Sequence, residues 1–146
     1  MDKQIPLHIV AVLGFIQKGD KFLIAKRASN DPQAGGKWSI PGGKHEFEVG
    51  DNTVEPTLRR EIKEEVGLEI EDGMIYIGNQ SFIHSSGNHV VMLFFLCKYK
   101  TGKAEPLEDQ EEIRWVTLAE LEKPVNSKGG PDYLIEPVKR LKALLK

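Results

Sequence analysis

Residues 42–68 read GGKHEFEVGDNTVEPTLRREIKEEVGL, and the helix written into the second half governs both the layout of the chain and its chemistry. Asn52 or Thr53 can serve as N-cap, Pro56 suits the first turns and Gly67 a C-terminal stop, so the pattern predicts a helix over 53–66. At 100° per residue, Leu58, Ile62 and Val66 form an apolar stripe. With Leu58 at zero, Glu65 projects at about −20° and Glu61 at about −60°, on the flank of that stripe. Glu64 and Arg60 fall together at about 240° and 200°, where they can pair at i, i+4. Lys63, at about 140°, faces away.

A solvated acidic surface is the ordinary reading of such a helix, and it fits poorly here. Glu61 and Glu65 are like charges one turn apart, and a carboxylate beside an apolar stripe loses hydration that a cation or donors must replace. A divalent cation resolves the conflict, because Mg²⁺ takes carboxylate oxygens, retains water and accepts phosphate oxygens. Upstream, Pro41, Gly42 and Gly43 should stop a short strand and let backbone approach a ligand closely, so that a carbonyl there could reach the same ion.

Outward from this stretch, 7–16 and 21–26 read as a hairpin, 28–37 as a loop, and 38–40 as a short strand. Two apolar stretches, 74–83 and 90–99, flank Ser85 to Asn88 as a second hairpin. A strand over 113–116 leads to a short helix through Glu122, opened by a Thr117–Glu120 capping box. Residues 126–131 read as a flexible linker, and Pro137 opens a last amphipathic helix carrying Val138, Leu141, Leu144 and Leu145. Strands on both sides of a central helix predict a mixed β-sheet covered by helices on two faces. At 146 residues and 40% hydrophobic, the expectation is one domain over 1–146. A formal net charge of −2 provides no general attraction for nucleic acid. No signal sequence and no membrane-spanning run is seen, so the expected location is cytoplasmic. The single cysteine, Cys97, sits in an apolar run and should be a buried, inert thiol.

With Arg60, Glu61, Ile62, Lys63, Glu64, Glu65, Val66, Gly67 and Leu68 in an unbroken run, the sequence resembles the Nudix hydrolase family, whose box is written G-x5-E-x7-R-E-U-x-E-E-x-G-U. The flanking WSIPGGK, FLIAKRAS and EEIRWVTLAELE are similar to its MutT-like branch. The first half of the box departs from the pattern: Gly43 to Arg60 spans three residues more than it allows, and its first glutamate falls on Val49 or Asn52. Glu48 and Asp51 stand one position away, and either could take that role. Glu46 would orient the turn or help hold Arg60.

The resemblance implies an α/β/α sandwich that hydrolyses a nucleoside diphosphate linked to another moiety, with Mg²⁺ or Mn²⁺. It implies metal ligands at Glu64 and Glu65, joined by the Gly42 carbonyl, with Glu61 as ligand or general base and Arg60 orienting the glutamates. Asp109 or Glu112 either completes the cluster or belongs to a solvated loop. The markers of ADP-ribose and diadenosine polyphosphate enzymes are absent, which leaves a nucleoside triphosphate, an oxidised one included, as leading substrate. An ADP-ribose or nucleotide-sugar hydrolase, or a noncatalytic nucleotide-binding module, are the alternatives. Arg27 and Asn126 are candidate substrate contacts; Phe82, His84 and His89 more plainly serve packing or surface. The expected partner is a small-molecule nucleotide, with no nucleic acid and no membrane, acting on a monomer or homodimer.

Overall fold

The computed structural model describes residues 4–30, 35–123 and 132–146. Its elements are β1 (His8–Lys18), β2 (Lys21–Arg27), β3 (Trp38–Ser39), β4 (Gly42–His45), α1 (Val54–Val66), β5 (Glu69–Ile70), β6 (Ile75–Ile83), β7 (His89–Thr101), β8 (Gln110–Thr117), α2 (Leu118–Glu122), a 3₁₀ turn (Asp132–Leu134) and α3 (Ile135–Leu144).

The long apolar run of β1 needs partners on both edges. It finds β7, parallel, from His8↔His89 to Gln17↔Lys98, and β4, antiparallel, from Val10↔His45 to Leu13↔Gly42. The expected hairpin with β2 therefore closes only at its turn, Gln17↔Phe22 and Lys18↔Lys21. Beyond it β2 diverges to pair with β8 and β3. The second expected hairpin forms as read, β6 against β7 from Ile75↔Leu96 to Ile83↔His89. The short strand β3 ends before Pro41 as expected, but Gly42 and Gly43 then begin a further strand, β4, because Gly42 has no Cβ to meet the backbone of β1.

Strict alternation along the central strands builds two cores. Leu13, Phe15, Phe22, Ile24, Phe94 and Leu96 face α2 and α3, with Leu121, Val138 and Leu141. Val12, Ile16, Leu23, Phe95 and Cys97 face α1, with Leu58, Ile62 and Val66. The mixed sheet thus lies between helices, as an α/β/α sandwich. All three stripe residues of α1 are 0% exposed, and truncating Leu58 or Ile62 to alanine is expected to cost about 2–5 kcal/mol in urea unfolding. The stripe of α3 is narrower than read, since Leu144 and Leu145 are exposed. Cys97 is buried, and burial pushes its thiol up to about 12, so it is inert as expected. No described helix is long and apolar enough to cross a membrane.

Candidate functional site

The site grows from the packing of α1 on β4. Thr53 precedes the helix without a side-chain cap, and Gly67 ends it in the left-handed conformation, φ 72°, with its N–H on the Lys63 carbonyl. Within those ends the stripe fixes the rotation of the helix, and the rotation aims the glutamates as their angles require.

Glu65 is 7% exposed, and its Oε2 accepts the Gly42 N–H at 3.2 Å. Burial drives its carboxyl up to about 8, helped by the charges of Glu61 and Glu108 and opposed by the Gly42 N–H and by Arg27. Glu61 is raised in the same way, by burial first, and further by Glu64, Glu108 and Glu46 against the pull of Arg60. A Cβ on Gly43 would sit 2.4 Å from the Glu61 carboxyl carbon, so the second glycine of β4 makes the room that this side chain occupies. Glu64 points outward, and its Oε2 lies 3.5 Å from Arg60 Nη1.

Arg60 gathers the cluster. Its Nη1 also donates to Glu61 Oε1 at 3.4 Å, and its Nη2 to Glu48 Oε1 at 3.0 Å. Glu48 Oε2 accepts the N–H groups of Phe47 at 3.1 Å and Glu46 at 3.3 Å. Backbone donors of the loop, its own N–H foremost, hold its carboxyl below the usual range. Of the two loop acids left open by the sequence, Glu48 is the one that grips Arg60, a role also considered for Glu46, which instead acts on Glu61 as a like charge. Replacing Glu48 by alanine is expected to lower turnover about 10- to 100-fold while leaving the thermal midpoint nearly unchanged, measured side by side. The carboxylate is a partly exposed support rather than a core group.

A further acid acts on these glutamates from the segment before β8. Asp109 gives its carbonyl to the Ala28 N–H at 2.8 Å, and Glu112 pairs in register with Lys26 on β8. Glu108 is the residue whose charge bears on both Glu61 and Glu65. It is delivered there by two backbone bonds to the C-terminal carbonyls of α1, Glu105 N–H to Val66 at 3.0 Å and Leu107 N–H to Glu65 at 2.9 Å. Its left-handed conformation, φ 51°, turns the chain out of that contact into β8. No periodicity signals such a residue; only the free carbonyls at the end of a helix hint that some segment must come to cover them.

Arg27 ends β2 at a register shift, and its positive charge reaches Glu65 and Tyr133. Asn126 lies outside the described residues.

Among the described residues, no three Asp, Glu, His or Cys side chains are already gathered as a metal cage. The donor chemistry nevertheless fits a hard divalent cation. Such an ion needs only one or two carboxylates, with the rest supplied by water, carbonyl and substrate oxygens. A buried carboxylate pushed up to about 8 among other acids marks a place short of positive charge. Glu65, Glu61 and Glu64, with the Gly42 carbonyl as a further oxygen, could hold it.

The NUDIX domain model matches residues 7–135. The chain belongs to the Nudix family. It is a MutT-like Nudix hydrolase, 31% identical over 115 residues to a putative 8-oxo-dGTP diphosphatase 2 of Mycobacterium tuberculosis, which covers 79% of this chain and 77% of that one. It is 32% identical over 114 residues to an ADP-ribose pyrophosphatase of Methanocaldococcus jannaschii, covering 78% and 64%. Over 116 residues it is 31% identical to the NAD-capped RNA hydrolase NudC of Pseudomonas aeruginosa, covering 79% and 38%. Its fold matches that of a MutT protein from Methanosarcina mazei with a TM-score of 0.80, over 99% of both chains at 23% identity. These Nudix relatives thus divide among several diphosphate-containing substrates.

Proposed function

We propose that this Nudix hydrolase is a Mg²⁺- or Mn²⁺-dependent pyrophosphohydrolase working as one domain on a nucleoside triphosphate, an oxidised one included, and releasing nucleoside monophosphate and pyrophosphate. The observation that carries the reading is the buried Glu65, held against Gly42 and facing the charges of Glu61 and Glu108, where a carboxylate is comfortable only beside a cation. Glu65 and Glu64, with the Gly42 carbonyl, hold the ion. When bound, it neutralises diphosphate oxygens and lowers the pKa of the attacking water.

The chain's own groups do the rest. Glu61, raised by burial and held by Arg60, accepts the proton of that water as general base or joins the ligands. Arg60 sets the spacing of Glu61 and Glu64 through charge-assisted bonds, and Glu48 holds Arg60 in turn. Arg27 offers positive charge to phosphate at the Glu65 end of the site. Asn126 is kept as a contact to the base.

A screen of ordinary and oxidised nucleoside triphosphates, ADP-ribose and NAD-capped RNA, each with Mg²⁺ and with Mn²⁺, tests the reading by the products formed. Pyrophosphate released from a triphosphate supports it. Turnover of ADP-ribose alone moves the chain to the substrate named for its Methanocaldococcus relative. Nucleotide binding without turnover or metal dependence favours a noncatalytic module.

A further inference from the structure

The helix row that carries the carboxylates has a third member, and it is not acidic. Thr57, Glu61 and Glu65 stand four residues apart and so follow one another along the side of α1 that meets β4. β4 answers them in reverse order: His45 bonds Thr57, Gly43 makes room for Glu61, and Gly42 donates to Glu65. Eight residues of helix rise about 12 Å and three steps of strand about 10 Å, so the two elements stay in step along the whole row. Thr57 and Glu65, at its two ends, are the buried polar residues among those described.

The bonds at the Thr57 end fix the state of the imidazole. Thr57 Oγ1 lies 2.9 Å from the Thr53 carbonyl and 2.9 Å from His45 Nδ1. A carbonyl only accepts, so the one hydroxyl proton of Thr57 goes to it, and Nδ1 is the donor of the other bond. The neutral ring then has a bare Nε2, which accepts the Thr53 hydroxyl at 3.3 Å. That hydroxyl is turned away from the helix end, which accounts for a Thr53 without a side-chain cap bond. The Glu48 carboxylate, 3.7 Å from Nδ1, lies on the protonated side of the ring. His45 thus ties both ends of the loop 46–52 together, and the acid that grips Arg60 springs from that loop.

We propose that His45 is a positioning residue of the hydrolase site: as its Nδ1–H tautomer it clamps the first turn of α1 to β4 and so sets where Glu61 and Glu65 stand. The inference rests on the pyrophosphohydrolase reading above and adds to it what keeps the glutamates in register. The Gly42 bond holds one end of the row only. With the His45 end released the helix is free to turn about that bond, and a carboxylate an ångström out of place is a poor base or ligand.

His45→Leu keeps the bulk of the side chain and removes both bonds, Thr57→Val removes the hydroxyl from the other side, and His45→Asn restores a donor where Nδ1 stands. With the triphosphate that the wild type turns over, His45→Leu and Thr57→Val are each expected to lower kcat about tenfold with KM within about twofold of wild type. The double variant is expected to fall no further than either single one, and His45→Asn to recover to within about threefold of wild type. Correlation spectra of the ring nitrogens in protein carrying isotope-labelled histidine, at pH 8.5, are expected to show His45 protonated on Nδ1 alone; this readout needs no variant to fold. An unchanged kcat, single losses that multiply in the double variant, an asparagine variant as slow as the leucine one, or a ring protonated on Nε2 overturns the proposal. A wild type inert to the whole nucleotide screen overturns the hydrolase reading and this one together. If Glu65→Gln abolishes turnover and His45→Leu leaves it unchanged, only this inference falls.

Discussion

Replacing Glu65 by glutamine is expected to make the metal-free protein more stable at alkaline pH while removing its turnover. The side chain is 7% exposed, and its carboxyl is moved from an ordinary 4.5 to about 8, by burial first. The folded state therefore holds a proton that the unfolded chain releases, and wild-type stability is fullest below pH 4.5 and declines as pH rises to about 8, above which it is flat. At about 1.4 kcal/mol per pH unit, that gap sets a ceiling of about 5 kcal/mol on the cost of the charged form. Glutamine keeps an oxygen for the Gly42 N–H and carries no charge. The difference between variant and wild type, read from urea midpoints in EDTA, should be near zero at pH 5 and grow to about 2–4 kcal/mol at pH 9. Mg²⁺ should reverse the order by stabilising the wild type alone. A difference that stays flat across this range would show that Glu65 feels no such environment.

The two glycines of β4 should fail in different ways, although they are neighbours. A Cβ on Gly42 would stand 2.1 Å from the Val12 carbonyl oxygen and 2.8 Å from Leu13 Cα, both backbone atoms of β1. β4 would have to leave β1, so Gly42→Ala is expected to cost about 3 kcal/mol or more, a fall of roughly 6–12 °C in thermal midpoint. On Gly43 the Cβ meets only the Glu61 side chain, its carboxyl carbon at 2.4 Å and Oε2 at 2.5 Å. That side chain can swing aside, and the fold survives. Gly43→Ala should therefore fold with a midpoint near wild type and lose about 100-fold in turnover, because a catalytic carboxylate displaced by an ångström is out of place. Calorimetry and steady-state kinetics on the two variants, measured together, read the contrast. Equal stability loss would mean that Gly43 serves the strand rather than Glu61.

How much of this the sequence could tell depends on whether a feature is local. The inward aim of Glu65 follows from its place about 20° from Leu58 at 100° per residue, and the left-handed stop at Gly67 from its residue type; the structure has both, with Glu65 buried and Gly67 at φ 72°. The capping box at Thr117 and Glu120 was equally local and forms. What periodicity could not give was pairing between distant segments. The parallel match of β1 with β7 joins residues about eighty positions apart, and β4 carries two glycines that read as a turn. Glu108 escaped notice because its position depends on Glu105 and Leu107 covering the end of α1. That Glu48 reaches Arg60 likewise needed the course of the lengthened loop, whose backbone folds the Glu48 carboxylate back toward it.

The central claim is that Glu65 and its neighbours hold a catalytic divalent cation, and binding of Mn²⁺ reads it most directly. Titration of wild type and Glu65→Gln followed by the paramagnetic relaxation of water protons, at pH 7.5 without nucleotide, is expected to show a site in the wild type and at least tenfold weaker binding in the variant. Equal Mn²⁺ affinity in the two proteins would contradict it.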